Sequence, residues 1–96
     1  MNFLKETIQF LASNDLTPED VCWVSDGDNW CDWSTFKANA DFGYDDGFGC
    51  QQINFALKVV GKDWWLERHE YDGSEWWEFK KLPEKPAKES SRIKLR

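Results

Sequence analysis

Two eight-residue segments on either side of Asp72-Gly73 constrain this chain more than anything else in it. WWLERHEY and SEWWEFKK are rich in residues that favour strands, and an Asp-Gly pair between them is a strong hairpin signal. A two-residue loop sets the register. Tyr71 then faces Ser74, His69 faces Trp76, Arg68 faces Trp77, Glu67 faces Glu78 and Leu66 faces Phe79. Upstream, Ile53, Phe55, Leu57 and Val59 alternate with Asn54, Ala56, Lys58 and Val60, the period of a half-buried strand. Gly61-Lys62 reads as a second tight turn with glycine first, as a type II′ turn requires. On that turn Val60 faces Asp63, Val59 faces Trp64, Leu57 faces Leu66 and Phe55 faces Arg68. Cys50 to Leu82 is therefore predicted to be a three-stranded antiparallel meander. Ile53, Phe55, Leu57, Val59, Trp64, Leu66, Trp77 and Phe79 fall on one face, an agreement that a one-residue slip would destroy.

The other face of this ribbon is the candidate functional surface. It carries the predicted rows Asn54–His69–Trp76, Ala56–Glu67–Glu78 and Lys58–Trp65–Lys80, with Tyr71 at one end. Glu67 stands opposite another carboxylate, an unfavourable pairing that Lys58 and Lys80 would soften. Either another part of the chain or a partner molecule would cover the aromatic residues. The residues singled out for binding are Trp65, Glu67, His69, Tyr71, Trp76 and Glu78, with Asp41, Asp45 and Asp46 as an acidic addition.

A chain of 96 residues makes one domain, and its seven Trp and seven Phe supply apolar area that its length does not. A charged fraction of 31% and the absence of any apolar run near the ~20 residues of a membrane span indicate a soluble protein. MNFLKETIQFLA lacks the basic start, continuous apolar stretch and small-residue cleavage site of an export signal. Cys22, Cys31 and Cys50 are odd in number and lack the close pairs of a zinc site, which fits a reduced, cytoplasmic chain with buried or half-buried thiols. The formal net charge is −6, and it is unevenly placed: −8 over residues 1–50, −1 over 51–82 and +3 over 83–96. Such a body repels nucleic acid and anionic membrane and attracts a basic protein surface.

Along the chain, residues 2–13 read as an amphipathic helix with Leu4, Ile8 and Leu11 on one stripe, widened by Phe3 and Phe10. Asn2 is placed to cap its start, and Asn14 to take the left-handed turn at its end. Thr17-Pro18-Glu19-Asp20 predicts one helical turn, followed by a short strand in Val21–Val24. Ser25–Asn29 is a turn cluster, and Trp30–Trp33 a returning strand. Ser34 reads as the cap of a short helix over Thr35–Ala40. Asp41–Gly49 is a Gly- and Asp-rich loop that crosses the sheet edge. The fold class is α+β: an N-terminal helix packed on a mainly antiparallel sheet that contains the meander, with a short second helix, over residues 1–82. Residues 83–96 are expected to form a basic, mobile tail, since KPAKESSRIKLR has few groups to bury.

Several chemistries fit poorly. Neither DGDN nor DFGYDDG has the ligand spacing of an EF-hand; Asp41, Asp45 and Asp46 come nearest to a cation site, and no cofactor is expected. His69 is the single histidine and has no nucleophile among its predicted neighbours, so an enzyme is not indicated. Aromatic rings on a sheet stack bases only where the groove is positive, and the charges here are mostly carboxylates. Sugar stacking on Trp65, Trp76 and Tyr71 is the alternative of a different class. Protein binding is favoured: Trp and Tyr dominate interface energies, and an acidic rim steers a basic partner. Rows of carboxylates can also imitate phosphates, which would make the chain an inhibitor of a nucleic-acid-binding protein.

GKDWWLERHEYDGSEWWEFKKLP, preceded by ADFGYDDGFG, resembles the end of short acidic proteins from bacterial phages and prophages. The resemblance covers about two-thirds of the chain and carries no assigned activity, so it transfers no residue role. It implies a setting, the cytoplasm of a host cell, and a manner of acting, in which small accessory proteins bind and block host enzymes or defence proteins.

Overall fold

The computed structural model describes residues 1–45, 47 and 50–96. Its elements in order are helix α1 (Phe3–Ser13), a 3-10 turn (Pro18–Asp20), strands β1 (Trp23–Ser25) and β2 (Trp30–Cys31), helix α2 (Trp33–Ala40), and strands β3 (Lys58–Val60), β4 (Trp64–Tyr71) and β5 (Ser74–Lys81). The strands form one antiparallel sheet in the order β2-β1-β3-β4-β5. The fold is α+β, with the C-terminal meander in place as β3-β4-β5. No helix among the described residues is long and apolar enough to cross a membrane.

Local chemistry sets the ends of α1. Asn2 Oδ1 accepts the Lys5 amide at 2.9 Å, satisfying one of the donors a helix start leaves free. At the other end the left-handed residue is Asp15 (φ 60), not Asn14, whose φ is −110. The Leu16 amide reaches back to the Leu11 carbonyl at 2.9 Å and closes the turn. The buried stripe runs through Phe3, Thr7 and Leu11, with Leu4 and Phe10 packed at its margin. The cap of α2 is Asp32 rather than Ser34: its carboxylate accepts the Thr35 amide at 2.8 Å, so the helix begins at Trp33 and β2 is left with two residues.

The two hairpins compare differently with the predicted pairing. Across Asp72-Gly73 every expected partner is found, and both turn residues have positive φ, 51° and 85°, as a type I′ turn demands. Across the other turn Val59 pairs with Leu66 and Val60 with Trp65, two residues away from the predicted partners. The loop residues are Lys62 and Asp63, closed by the Gly61 amide on the Trp64 carbonyl at 2.8 Å. A shift of two preserves the side-chain faces, because the strand period is two.

The predicted long strand from Ile53 is cut to three residues. Asn54 folds the chain away from the ladder: its side chain accepts the Ala56 amide at 3.0 Å and donates to the Asp26 carbonyl at 3.1 Å. This local bond offers the backbone a turn in place of a strand. Consequently Asn54 and Ala56 are not in the sheet, and Phe55 is exposed, while Ile53 still reaches the core. The rows on the outer face are thus Val60–Trp65–Lys80 and Lys58–Glu67–Glu78, with His69 facing Trp76 alone.

The core lies between the helices and one face of the sheet. Phe3 stacks on Trp77 at 5.6 Å and meets Phe36 and Tyr44 edge-on, and Val24, Val59, Leu66 and Trp64 complete the sheet side. Arg68 sits inside it at 1% exposure. Its guanidinium bonds Glu6 at 3.2 Å, Glu75 at 3.1 Å and the Tyr44 hydroxyl at 3.0 Å, and lies 4.9 Å from the centre of the Trp77 ring. Burial disfavours its charge, but the Tyr44 hydrogen bond and the neighbouring Glu6 outweigh it and keep the guanidinium pKa above its ordinary value. The Tyr44 hydroxyl donates to Glu6, and its own pKa is raised by burial first and by that bond second. Glu75 also accepts the amides of Gln52 and Ile53. One buried cation therefore links α1, the loop after α2, the segment before β3, and both long strands.

Candidate functional site

The sheet face turned away from the helices is open, and the alternation of β1, β4 and β5 determines what it displays. In β1, Val24 points into the core, so Trp23 and Ser25 point out. Ser25 pairs with Trp30, which places that indole on the same face. In β4, Trp64, Leu66 and Arg68 are buried, and Trp65, Glu67, His69 and Tyr71 look outward. In β5, Glu75 and Trp77 are buried, and Trp76, Glu78 and Lys80 look outward. Exposure is 72% for Trp30, 76% for Tyr71, 39% for Trp23 and 37% for Trp76.

On β4 and β5 the face carries a polar network built from residues two apart on neighbouring strands. The Trp65 indole donates to Glu67 Oε1 at 2.7 Å, and the Trp76 indole donates to Glu78 Oε2 at 3.1 Å. His69 Nε2 lies 2.8 Å from Glu67 Oε2 and 3.4 Å from Glu78 Oε1. The ring nitrogen thus stands between two carboxylates, where an Nε2–H has acceptors on both strands. Lys80 Nζ adds a contact to Glu78 at 3.3 Å. The pairing of Glu67 with Glu78 is thus relieved by Lys80 and by Lys58, which stands opposite Glu67 in the β3–β4 register, with the His69 ring lying between the two carboxylates. Phe55 lies beside the network, its ring 6.4 Å from that of His69.

The network holds both carboxylates ionised. The Trp65 hydrogen bond, with His69 adding to it, lowers the Glu67 pKa; the Trp76 hydrogen bond and then Lys80 lower that of Glu78. A carboxylate whose folded pKa is depressed contributes stability above its unfolded pKa and loses it as pH falls through the folded value. We expect the indole N–H resonances of Trp65 and Trp76 to move on acidification, with midpoints below the ordinary glutamate value of 4.5. Midpoints at or above 4.5 in an NMR pH titration would contradict these contacts.

Of the residues picked from sequence, Trp65, Glu67, His69, Tyr71, Trp76 and Glu78 share this face. The aspartates do not join them. Asp41 accepts from the Asn2 side chain at 2.8 Å, at the start of α1 in the helix layer, and Asp45 accepts the Gly47 amide at 3.0 Å. Asp46 lies outside the described residues. No group of three or more metal-ligating side chains is found among the described residues. The three thiols are free, with Cys22 and Cys50 exposed and Cys31 half-buried, so two are more open than expected. Burial, with Asp32 adding to it, raises the Cys31 pKa.

Trp23 and Trp30 are members of the face that the sequence reading did not assign. The signal was present in the alternation Trp23-Val24-Ser25, where an inward valine sends the tryptophan out. Their presence changes the charge pattern. Glu67 and Glu78 on β4 and β5 are balanced by Lys58 and Lys80, whereas the β1–β2 end is acidic, with Glu19, Asp20, Asp26, Asp28 and Asp32 all exposed. None of the protein-family models, curated proteins or solved structures compared with this chain matches it.

Proposed function

We propose that this chain is a non-enzymatic protein-binding module that docks a basic partner on the open face of its sheet. The observation that carries the reading is that Trp23, Trp30, Trp65, Trp76 and Tyr71 all lie on one uncovered face. Large aromatic patches on a domain of this size are costly unless they meet something, and Trp and Tyr are the residues that concentrate interface energy. The indoles of Trp65 and Trp76 are held by Glu67 and Glu78, so little side-chain entropy remains to be lost on binding. The acidic β1–β2 end supplies the steering field and draws a partner that itself binds nucleic acid or another polyanion. The resemblance to small phage proteins gives such a partner a setting in the host cytoplasm, where occupying its basic surface would inhibit it.

Affinity capture from bacterial lysate, followed by titration of the purified partner, tests this. A basic protein should bind directly, weaken as salt is raised, and lose about thirty-fold or more in affinity with Trp76→Ala, a large aromatic side chain that β5 presents on this face. Equal affinity of Trp76→Ala and the unsubstituted chain would remove the face from consideration. A Trp76-dependent signal on a glycan array, with no protein captured, would replace the reading with a sugar-binding one that uses Trp65, Trp76 and Tyr71.

A further inference from the structure

A cleft of about 360 Å³ lies at the β1–β2 end of the open face, lined by Trp23, Trp30 and Cys22. It is separate from the network around His69, and the hairpin register explains its shape. Ser25 is opposite Trp30, and Trp23 is two residues from Ser25, so the two tryptophans are diagonal neighbours about 7–8 Å apart at the backbone. Among the described residues neither indole stacks on another aromatic ring. Both indoles line the cleft.

The surroundings select the charge of what enters. Residues 19–32 contain Glu19, Asp20, Asp26, Asp28 and Asp32 and no lysine or arginine, and the one cation on the adjoining strand β3 is Lys58, opposite Ser25, so carboxylates outnumber it five to one. Backbone amides of Asn29 and Asp28 hold Asp26 ionised, and that of Thr35 does the same for Asp32. The face of an indole attracts cations through its quadrupole, and the carboxylate field adds to that attraction. No cation of this chain occupies the cleft among the described residues, since the cation–π contacts all belong to Arg68 in the core.

Building on the protein-binding reading, we propose that the cleft between Trp23 and Trp30 receives the guanidinium of an arginine side chain projecting from the basic partner. A planar, weakly hydrated guanidinium stacks on an indole better than a compact ammonium does. The site would make a single arginine the anchor of the acidic end, while the Trp76 region supplies the apolar contact.

Two short Gly/Ser peptides, one with a central arginine and one with citrulline in its place, test the cleft. They are titrated into the full ¹⁵N-labelled chain while the indole N–H signals are followed. The Trp23 and Trp30 signals should shift saturably with the arginine peptide, the buried Trp64 and Trp77 signals should stay, and the citrulline peptide should bind about five-fold more weakly. Trp30→Leu alters a side chain that is 72% exposed, so the fold is retained, and the Trp23 response should vanish. Equal responses to the two peptides, no response, or movement of Trp65 and Trp76 alone would overturn the proposal. Its failure is separable from that of the docking face. A partner lost by Trp76→Ala but retained by Trp30→Leu removes the arginine site only, and the peptide titration judges the cleft whichever partner is found.

Discussion

Arg68→Met should destabilise the protein by about 3–5 kcal/mol, the cost of removing one partner of a buried ion pair and leaving the other charged. The Glu75 side chain is 1% exposed, so its carboxylate cannot turn to water to recover its solvation, and Glu6, at 14%, recovers only part of its own. For a domain whose whole stability is of order 5–15 kcal/mol, this is enough to leave much of the population unfolded near physiological temperature. Equilibrium urea unfolding measures it, and a double-mutant cycle identifies the cause. The loss in Arg68→Met/Glu75→Gln should fall short of the summed single losses by roughly 1–3 kcal/mol, because the two side chains act on each other. Additive losses, or a drop below 1 kcal/mol for Arg68→Met, would show that the cluster does not hold the layers together. The open face is carried on the same two long strands, so loosening the core here should also blur the indole resonances of Trp65 and Trp76.

Gly61→Ala should be nearly as damaging, for steric reasons. A β-carbon at Gly61 would stand 2.0 Å from Cε2 of the Trp64 indole and 2.2 Å from its Nε1, well inside van der Waals contact. Trp64 is 6% exposed and stacked on Phe79 at 6.2 Å, so it has little freedom to retreat. Forcing a methyl group into a packed site costs typically 1–3 kcal/mol, and the upper end is expected against a rigid ring. The Trp64→Leu background separates the possible causes. Trp64→Leu is itself destabilising, but adding Gly61→Ala to it should cost less than about 1 kcal/mol, since the clashing ring is gone. An undiminished cost in that background would show that the Trp64 ring is not what Gly61 makes room for.

The reasons why some features were legible and others were not are visible at these two residues. Gly61 stands out in the sequence as a turn signal, yet its role is set by Trp64, which packs back over it; the actual loop is Lys62-Asp63, and the pairing shifts by two. No rule for turn residues contains the position of a ring three residues on. Arg68 falls at an inward register position beside Leu66, a hint that something must neutralise it. Glu75 is brought near it by the Asp72-Gly73 hairpin, but its other partners, Glu6 and Tyr44, come from two distant segments that nothing in the spacing of the chain brings together.

Period and turn chemistry act over a few residues, and what they govern was readable from the chain alone: the eight-residue strands around Asp72-Gly73, the face on which Trp65, Glu67, His69, Trp76 and Glu78 gather, the two helices and the excess of negative charge in the N-terminal half. Folding in three dimensions decided the remainder. It placed β1 and β2 beside β3, which brought Trp23 and Trp30 onto the open face. It moved Asp41 into the helix layer, ended the strand at Asn54 and enclosed Arg68 between carboxylates. These outcomes depend on contacts between residues far apart in the chain, whose energies exist only once the layers have met.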